Sequence, residues 1–469
     1  MADVWIDGRR VPVADSYPVY HKYHHGIIKM AAEADDDAID MAIESAKKAQ
    51  RQPLSIHERY RILETAADLL QERLEVLAQL ICQEAGKPLK DARTEVSRGQ
   101  QTLHYAAVAA KTLHGEEIPV RGNPGSENRL AWTLRKPYGT ILAITPFNFP
   151  LNLVLHKVAP ALAGGNAVIL KPAPQTPLIA MQLAELFSDA GLPGGWLNVL
   201  TASGPELGQK LVSHPQIDLI SFTGSQRVGQ DIRAQAALKP VLLELGNNSA
   251  NIVHGDADMA LAAKTLAARA FGYAGQVCIA VQRIYVQRTV FDTFQELLLK
   301  ASKSLVVGDP EDPHTDVGPM ITDEAANRAW SWYEEALKQG AKALLPAQKQ
   351  GSILTPGLLV DVAPSMRMMA EEAFAPLAGL VPYDDITQAI QWANDSRYGL
   401  QAGVFTQSLS VAMDCAQKLE VGGIIVNDSS SYRADNMPYG GIKDSGLGRE
   451  GPEHAILEMT YPSVVVLNL

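Results

Sequence analysis

From Gly139 to Leu245 the chain alternates without a break between short apolar runs and amphipathic segments. This pattern restricts the fold more than any other feature. The apolar runs, of strand length, are Thr140–Ile144, Ala167–Leu170, Leu197–Leu200, Asp218–Phe222 and Val241–Leu245. Between them lie segments at helical spacing: Leu151–Ala163, Thr176–Ala190, Gly204–Val212 and Ser225–Ala237. A helix between successive strands returns the chain to the edge it left, so the strands run parallel with right-handed crossovers. The pattern predicts a doubly wound α/β fold. A second alternation, from Ala257 through Val306 to Gly423–Asn427, predicts a second α/β domain of roughly 200 residues. Before these, Val4–Val13 reads as a hairpin around Asp7-Gly8, and Asp35–Gln50 and Ile56–Gly115 as largely helical. Glu117–Lys136 reads as a strand pair or arm, and Thr460–Leu469 as a terminal strand.

Charge and cysteine usage exclude several classes. With 41 basic and 52 acidic side chains the net charge is −11, which favours neither nucleic acid nor anionic lipid. Three cysteines in 469 residues, Cys82, Cys278 and Cys415, make no disulfide framework and fit a reducing cytosol. The acidic N-terminal stretch does not resemble a signal peptide. Tyr138–Leu155 is uncharged but holds Pro146, Asn148, Pro150 and Asn152, so it reads as strand, loop and helix start rather than a membrane span. The expectation is a cytoplasmic protein with a small-molecule ligand.

Chemistry-bearing residues gather at strand ends. Gly224 and Ser225, in Phe222-Thr-Gly-Ser225 leading to Gly229, join a strand to a helix whose free N–H groups suit a pyrophosphate, or simply form a capped turn. Lys171 ends a strand at the crevice side, where it meets ribose or phosphate, or solvent. Cys278 follows Gly275-Gln-Val and is either an inert buried thiol or a nucleophile approached closely by ligand. Glu244 is a carboxylate in an apolar run, suited to a raised pKa and general-base work, or to bonding a loop. Asn148, between Phe147 and Phe149, offers an amide to a developing oxyanion or ties a turn. His21, His24 and His25 lack acid or thiol ligands at site spacing and read as a solvated loop, with no metal expected.

In this order the segments resemble the aldehyde dehydrogenase superfamily over essentially the whole chain. They are Pro146-Phe-Asn-Phe-Pro150, Leu170-Lys-Pro172, Phe222-Thr-Gly-Ser225, Glu244-Leu-Gly246, Gly275-Gln-Val-Cys278, Glu371-Glu-Ala-Phe374 and Met437-Pro-Tyr-Gly-Gly441 leading to Ser445–Gly451. The resemblance implies Cys278 as nucleophile, Asn148 with the Cys278 N–H as oxyanion hole, and Glu244 as hydrolytic base. It implies NAD or NADP as cofactor, held along Thr145, Pro146, Lys171, Pro174, Gly224, Ser225, Gly229, Leu245, Gly246, Glu372 and Phe374. Phe149, Asn152, His156, Val277, Ile279, Arg433 and Tyr439 should line the aldehyde tunnel. Asn247 and Ala375 depart from the usual glycines, and Pro174 stands where many NAD-preferring relatives carry Glu.

The implied architecture is a Rossmann-type cofactor domain (residues 1–116 and 138–246), an α/β catalytic domain (247–453) and a β-arm for oligomerisation (117–137 and 454–469). A homodimer or homotetramer follows, since an unpaired arm leaves an exposed edge. Polar tunnel residues favour a short hydroxylated or anionic aldehyde of the lactaldehyde or glyceraldehyde type. The alternatives are a succinate-semialdehyde-type enzyme, a CoA-acylating dehydrogenase, or a catalytically silent nucleotide-binding protein. Arg433 could instead only pair with Asp435 or Asp428.

Overall fold

The first alternation forms an eight-stranded sheet in the computed structural model, which describes residues 2–469. Its five central strands are parallel and lie in the order Leu197–Val199, Ala167–Lys171, Thr140–Ile144, Leu219–Thr223, Val241–Glu244. The winding therefore reverses between Thr140–Ile144 and Leu219–Thr223. A crevice opens beyond the carboxyl ends of such a pair, the preferred ligand position of open α/β sheets.

Both faces of this sheet are buried, which is why its strands read as unbroken apolar runs. Ile141, Ala143, Val168 and Leu170 point into a core shared with Ile56–Glu72 and Asn152–Gly164. Leu142, Ile169, Ile220 and Phe222 point the other way, onto Asp36–Gln50 and Glu206–Ser213. Each such aliphatic side chain contributes about 1.5–3 kcal/mol on burial. Helix starts follow local chemistry. Asp35 accepts from the Ala38 N–H, and Ser55 forms a reciprocal capping box with Glu58.

The structure adds to the sequence reading at three places. The helical stretch after Ile56 is broken into Ile56–Glu72, Leu74–Ala85 and Leu89–Thr112, because Gly86 adopts φ 68° and Pro88 follows. The hairpin Ala2–Ile6/Arg9–Val13 extends one edge of the large sheet, with Trp5 opposite Val199. At the other edge Gly446–Leu447 pairs antiparallel with Val241–Glu244, and Ile456 of helix Pro452–Glu458 enters the first core. The chain thus returns to the first domain before residue 453, the limit expected from sequence, and that helix belongs to the core rather than to the arm.

The second sheet has seven strands, ordered Lys342–Leu345, Gly357–Val360, Leu377–Tyr383, Arg283–Gln287, Ala250–Val253, Gln401–Phe405, Gly423–Val426. Only the first is antiparallel to its neighbour. Residues 245–249 alone link Val241–Glu244 to Ala250–Val253. The carboxyl ends of the first sheet therefore face the amino ends of the second. A third sheet pairs Thr460–Asn468 with Arg129–Pro137, from Thr460 opposite Pro137 to Asn468 opposite Arg129, and adds Glu117–Ile118. Leu134, Val464 and Val466 are exposed on it. Tyr138–Leu155 is the strand, loop and helix start expected. Among the described residues no helix is long and apolar enough to cross a membrane.

Candidate active site

The loop that carries Cys278 is delivered by an unusual turn. After helix Met259–Phe271, Tyr273, Ala274 and Gly275 take left-handed backbone angles of φ 51°, 53° and 66°. For the two non-glycine residues this costs about 1–2 kcal/mol each, so the surroundings must hold them. The Tyr273 hydroxyl donates to the Ala85 carbonyl at 3.2 Å, and the buried Gln276 side chain accepts from the Ile321 N–H at 2.8 Å. A Cβ on Gly275 would lie 2.2 Å from the Ala375 carbonyl oxygen, so the loop approaches that backbone as only glycine permits. The close approach foreseen for Gly275 is to protein backbone.

Cys278 stands where two cavities meet. One, of about 500 Å³, is lined by Pro146, Gly224, Ser225, Leu245, Gly246, Glu372 and Phe374, with Asn148 and Glu244 beside Cys278. It lies at the point where the sheet's winding reverses. Ser225 caps helix Gln226–Gln235, accepting from the Val228 N–H, so the helix N-terminus faces this space. Gly224 has ordinary φ; a Cβ there would strike the Phe222 ring at 2.5 Å. Phe374 meets Phe147 edge-on with ring centres 5.9 Å apart. The Thr145 hydroxyl is buried without a partner. A helix N-terminus, an aromatic wall and a carboxylate at Glu372 fit a dinucleotide. Thr145, Lys171, Pro174 and Gly229 lie off this wall. Lys171 is buried, with Glu33 and Glu206 as its nearest charges, and Gly229 packs under the Leu245 side chain.

The other cavity, of about 400 Å³, is lined by Phe149, Asn152, Val277, Ile279, Arg433 and Tyr439, as expected from the sequence. His156 is a correction. It is buried one turn beyond Asn152, with Nε2 3.0 Å from Asp435 Oδ1, and does not line the cavity. Arg433 lines the cavity as expected and pairs with Glu450 at 3.0 Å, not with Asp435 or Asp428, the partners of the alternative reading. Asp435 is held instead by Arg98 at 2.8 Å. Sequence reading missed further wall residues, among them Lys87, Glu95, Arg98 and Tyr273. The buried Lys87 amine pairs with Glu95 and lies 3.6 Å from the Phe149 ring centre. Glu95 in turn accepts from the Leu151 and Asn152 N–H groups at 2.9 and 3.1 Å, capping their helix from outside. The Gly86-Lys-Pro88 helix stop was the one signal available for this corner.

Asn148 is fixed at both ends of its amide. Its Nδ2 donates to the Gln276 carbonyl at 2.9 Å, and its Oδ1 accepts from the Phe149 N–H. One amide hydrogen is left for an oxyanion beside Cys278. Glu244 is buried, and its Oε1 has no partner. Burial, with the charge on Glu450 second, pushes its pKa up to about 8. Glu450 stays ionised because Lys157 at 2.9 Å and Arg433 hold its carboxyl well below the usual range against the cost of burial. Burial, then the neighbouring Glu244, pushes the Cys278 thiol up as well.

The histidine loop gains the acid that sequence reading denied it. His24 Nε2 lies 3.2 Å from Asp309, and His21, His24 and Glu311 bring ligand atoms within 4.8 Å of one another. His21 Nδ1 accepts from the Tyr23 and His24 N–H groups, however, so the neutral ring carries its proton on Nε2, the atom facing Glu311.

A dinucleotide crevice meeting a half-buried cysteine, a free carboxyl and an oriented amide fits a nicotinamide-dependent aldehyde oxidoreductase. The chain belongs to the aldehyde dehydrogenase family, whose profile matches residues 9–465. It is 47% identical over 466 residues to a 3-sulfolactaldehyde dehydrogenase of Priestia aryabhattai, covering 99% of this chain and 98% of that protein. The crystal structure of an NADP-dependent glyceraldehyde-3-phosphate dehydrogenase from Bacillus halodurans, complexed with NADP, matches with TM-score 0.96 and 37% identity, over 100% of this chain and 99% of that one. Aldehyde dehydrogenase 21 from Physcomitrella patens, in complex with the reaction product succinate, matches with TM-score 0.96 and 35% identity, over 100% and 98%. The protein is an oxidoreductase of this family.

The raised Glu244 sets a pH dependence. A carboxyl accepts a proton only when ionised, so a step needing it as base is slow below about pH 8 and rises through it. Glu244→Gln should keep a pre-steady-state burst of reduced cofactor, lower the steady-state rate at least about 100-fold, and abolish that rise. Rapid-mixing absorbance across the pH range checks both. An unchanged steady-state rate would exclude Glu244 as the base.

Proposed function

We propose that Cys278 attacks the aldehyde carbon from the junction of the two cavities, with the cofactor on one side and the substrate on the other. The observation that carries this reading is that Cys278 alone of the three cysteines borders both spaces, while Cys82 and Cys415 are buried away from them. The thiohemiacetal oxyanion then takes the free Asn148 amide hydrogen and the Cys278 N–H. When bound, the nicotinamide accepts the hydride released as that adduct collapses to a thioester. Glu244, with one carboxyl oxygen unpartnered, takes a proton from the water that hydrolyses the thioester, and the acid leaves. A base already in the cavity supports hydrolysis over acyl transfer to CoA. The complete reactive set supports an enzyme over a silent binding protein. Glu372 and Phe374 would place the nicotinamide ribose and ring, and Gly224 and Ser225 the pyrophosphate.

The substrate is a short anionic or hydroxylated aldehyde of the sulfolactaldehyde and lactaldehyde kind. Supporting this, the cavity wall carries Lys87, Lys90, Arg98, Arg269 and Arg433. Four of them are paired with carboxylates, whereas Arg269 makes no ion pair among the described residues. The buried Arg433 Nε also lacks an acceptor. An N–H desolvated without a partner costs about 1–3 kcal/mol, which an anionic oxygen of the substrate would recover. The succinate-bound relative keeps a semialdehyde as the second reading. The exposed apolar side chains of the third sheet support an arm, built on 117–137 and the terminal strand, that pairs copies into a homodimer or homotetramer. The three free cysteines support a cytoplasmic setting.

Cys278→Ala should abolish aldehyde oxidation while cofactor affinity and thermal midpoint hold, since a small side chain replaces a small one. Dehydrogenase turnover retained above a trace would remove the nucleophile assignment. For the wild type, kcat/KM for sulfolactaldehyde or succinate semialdehyde should exceed that for propanal about tenfold or more, the worth of one charge-assisted bond; parity in the same assay would count against an anionic substrate. On the cofactor side, Pro174 neither chelates the adenosine ribose nor repels a 2′-phosphate, so the wild type should use NADP as well as NAD. A carboxylate at about 4 Å from the phosphate costs about 4 kcal/mol per unit charge before screening. Pro174→Glu should therefore lower kcat/KM for NADP relative to NAD by about tenfold or more. A wild type that rejects NADP would overturn this.

A further inference from the structure

The Tyr439 side chain is closer to the reacting sulfur than a tunnel wall requires. Its hydroxyl oxygen lies 3.1 Å from Cys278 Sγ, and the side chain is 2% exposed. We propose that Tyr439 is a catalytic residue: its hydroxyl donates a hydrogen bond to the Cys278 sulfur and holds the thiolate aimed into the aldehyde cavity. The proposal rests on Cys278 being the nucleophile.

The ring is held from three sides. Its backbone exchanges hydrogen bonds in both directions with Glu450, an isolated antiparallel bridge outside the main sheets. The Arg433 guanidinium stacks over the ring, 3.8 Å from its centre, and is itself tied to Glu450 at 3.0 Å. Leu400 and Ile279 pack with it in a small apolar cluster that Cys278 adjoins. A cation over the π face draws electron density from the ring and leaves the phenolic O–H a stronger donor. Arg433 acts through the tyrosine in this respect and is a positioning residue.

The direction of the bond follows from proton accounting. Either atom can donate while sulfur carries its proton, but a thiolate only accepts. Burial pushes the Tyr439 hydroxyl well above its ordinary pKa, so it keeps its hydrogen throughout. Burial and Glu244 oppose the thiolate, whereas the Tyr439 bond and the Arg433 charge favour it. In the step itself the S–H bond breaks, the proton leaves to solvent, and sulfur keeps the electron pair. The S–C bond then forms as the carbonyl π pair moves to oxygen. The Tyr439 O–H bond stays intact from start to finish.

The experiment is the pH profile of Cys278 alkylation by iodoacetamide in the full-length enzyme without aldehyde or cofactor, with the site of modification read by mass spectrometry. Tyr439→Phe removes one oxygen and keeps the ring under Arg433. Its alkylation midpoint should rise by about one pH unit, and its rate near neutrality should fall about tenfold, as expected for losing one hydrogen bond to a charged acceptor. Its kcat/KM should fall by a similar factor and recover as pH is raised, which a purely structural wall residue would not produce. Coincident midpoints for the two proteins overturn the proposal. Should the variant not fold, the Raman ring doublet of tyrosine, which reports the hydrogen bonding of the phenolic hydroxyl, decides between the wild type and Cys278→Ala. A donor signature that is lost with the sulfur is expected, and coincident doublets overturn the proposal. If instead Cys278 is not the nucleophile, Cys278→Ala turns over whatever these profiles show, so the two failures are distinguishable.

Discussion

Residues 245–249 are the shortest path in the molecule between its two large sheets, and the site depends on that shortness. A strand ending at Glu244 and another beginning at Ala250 force the carboxyl ends of one sheet against the amino ends of the next. Everything reactive then falls into one seam. Asn148 and Glu244 come from the first sheet's strand ends, and Cys278 comes from the loop before Arg283–Gln287 in the second. The linker is tied rather than slack. The Asn247 N–H donates to Glu372 at 3.1 Å, and its side chain bonds Ser249 and the Gln401 carbonyl. The departure from glycine at Asn247 thus adds bonds across the seam. The other departure, Ala375, places its carbonyl against Gly275.

Beneath the seam lies a buried ionic cluster whose members come from distant parts of the chain. Glu450 joins Lys157, Arg433 and the Thr223 hydroxyl, and Asp435 joins Arg98, His156 and Asn152. Burying such groups costs several kcal/mol per ion, and close pairing only offsets that cost. Their contribution is to chemistry more than to stability. A permanently ionised Glu450 beside Glu244 keeps the latter near neutrality, while Arg433 is shared between holding Glu450 and covering Tyr439. Burial leaves His156 neutral, and its Nδ1 has no partner, so it contributes shape and one hydrogen bond rather than charge.

What could be read from the sequence was what is local. Strand and helix periods, the Ser225 cap, the position of Glu244 at a strand end and the arm-like stretch before Lys136 all depend on neighbours within a few residues. The proposed trio of Asn148, Glu244 and Cys278 was readable because each lies within an ordered motif. The supporting shell was not. Lys157 and Glu450 are 293 positions apart and Arg98 and Asp435 are 337 apart, and nothing in either neighbourhood names the other. His156 shows the limit from the opposite side. Its spacing from Asn152 puts both on one helical face, but both bond Asp435, arriving from the far end of the chain, and only Asn152 lines the cavity.

The two chambers that share Cys278 have one more consequence, for the departure of ligands. Besides the cysteine, Leu153 is the only one of the described residues to border both. A dinucleotide in one chamber and a carboxylic acid in the other would therefore not need to pass each other to leave.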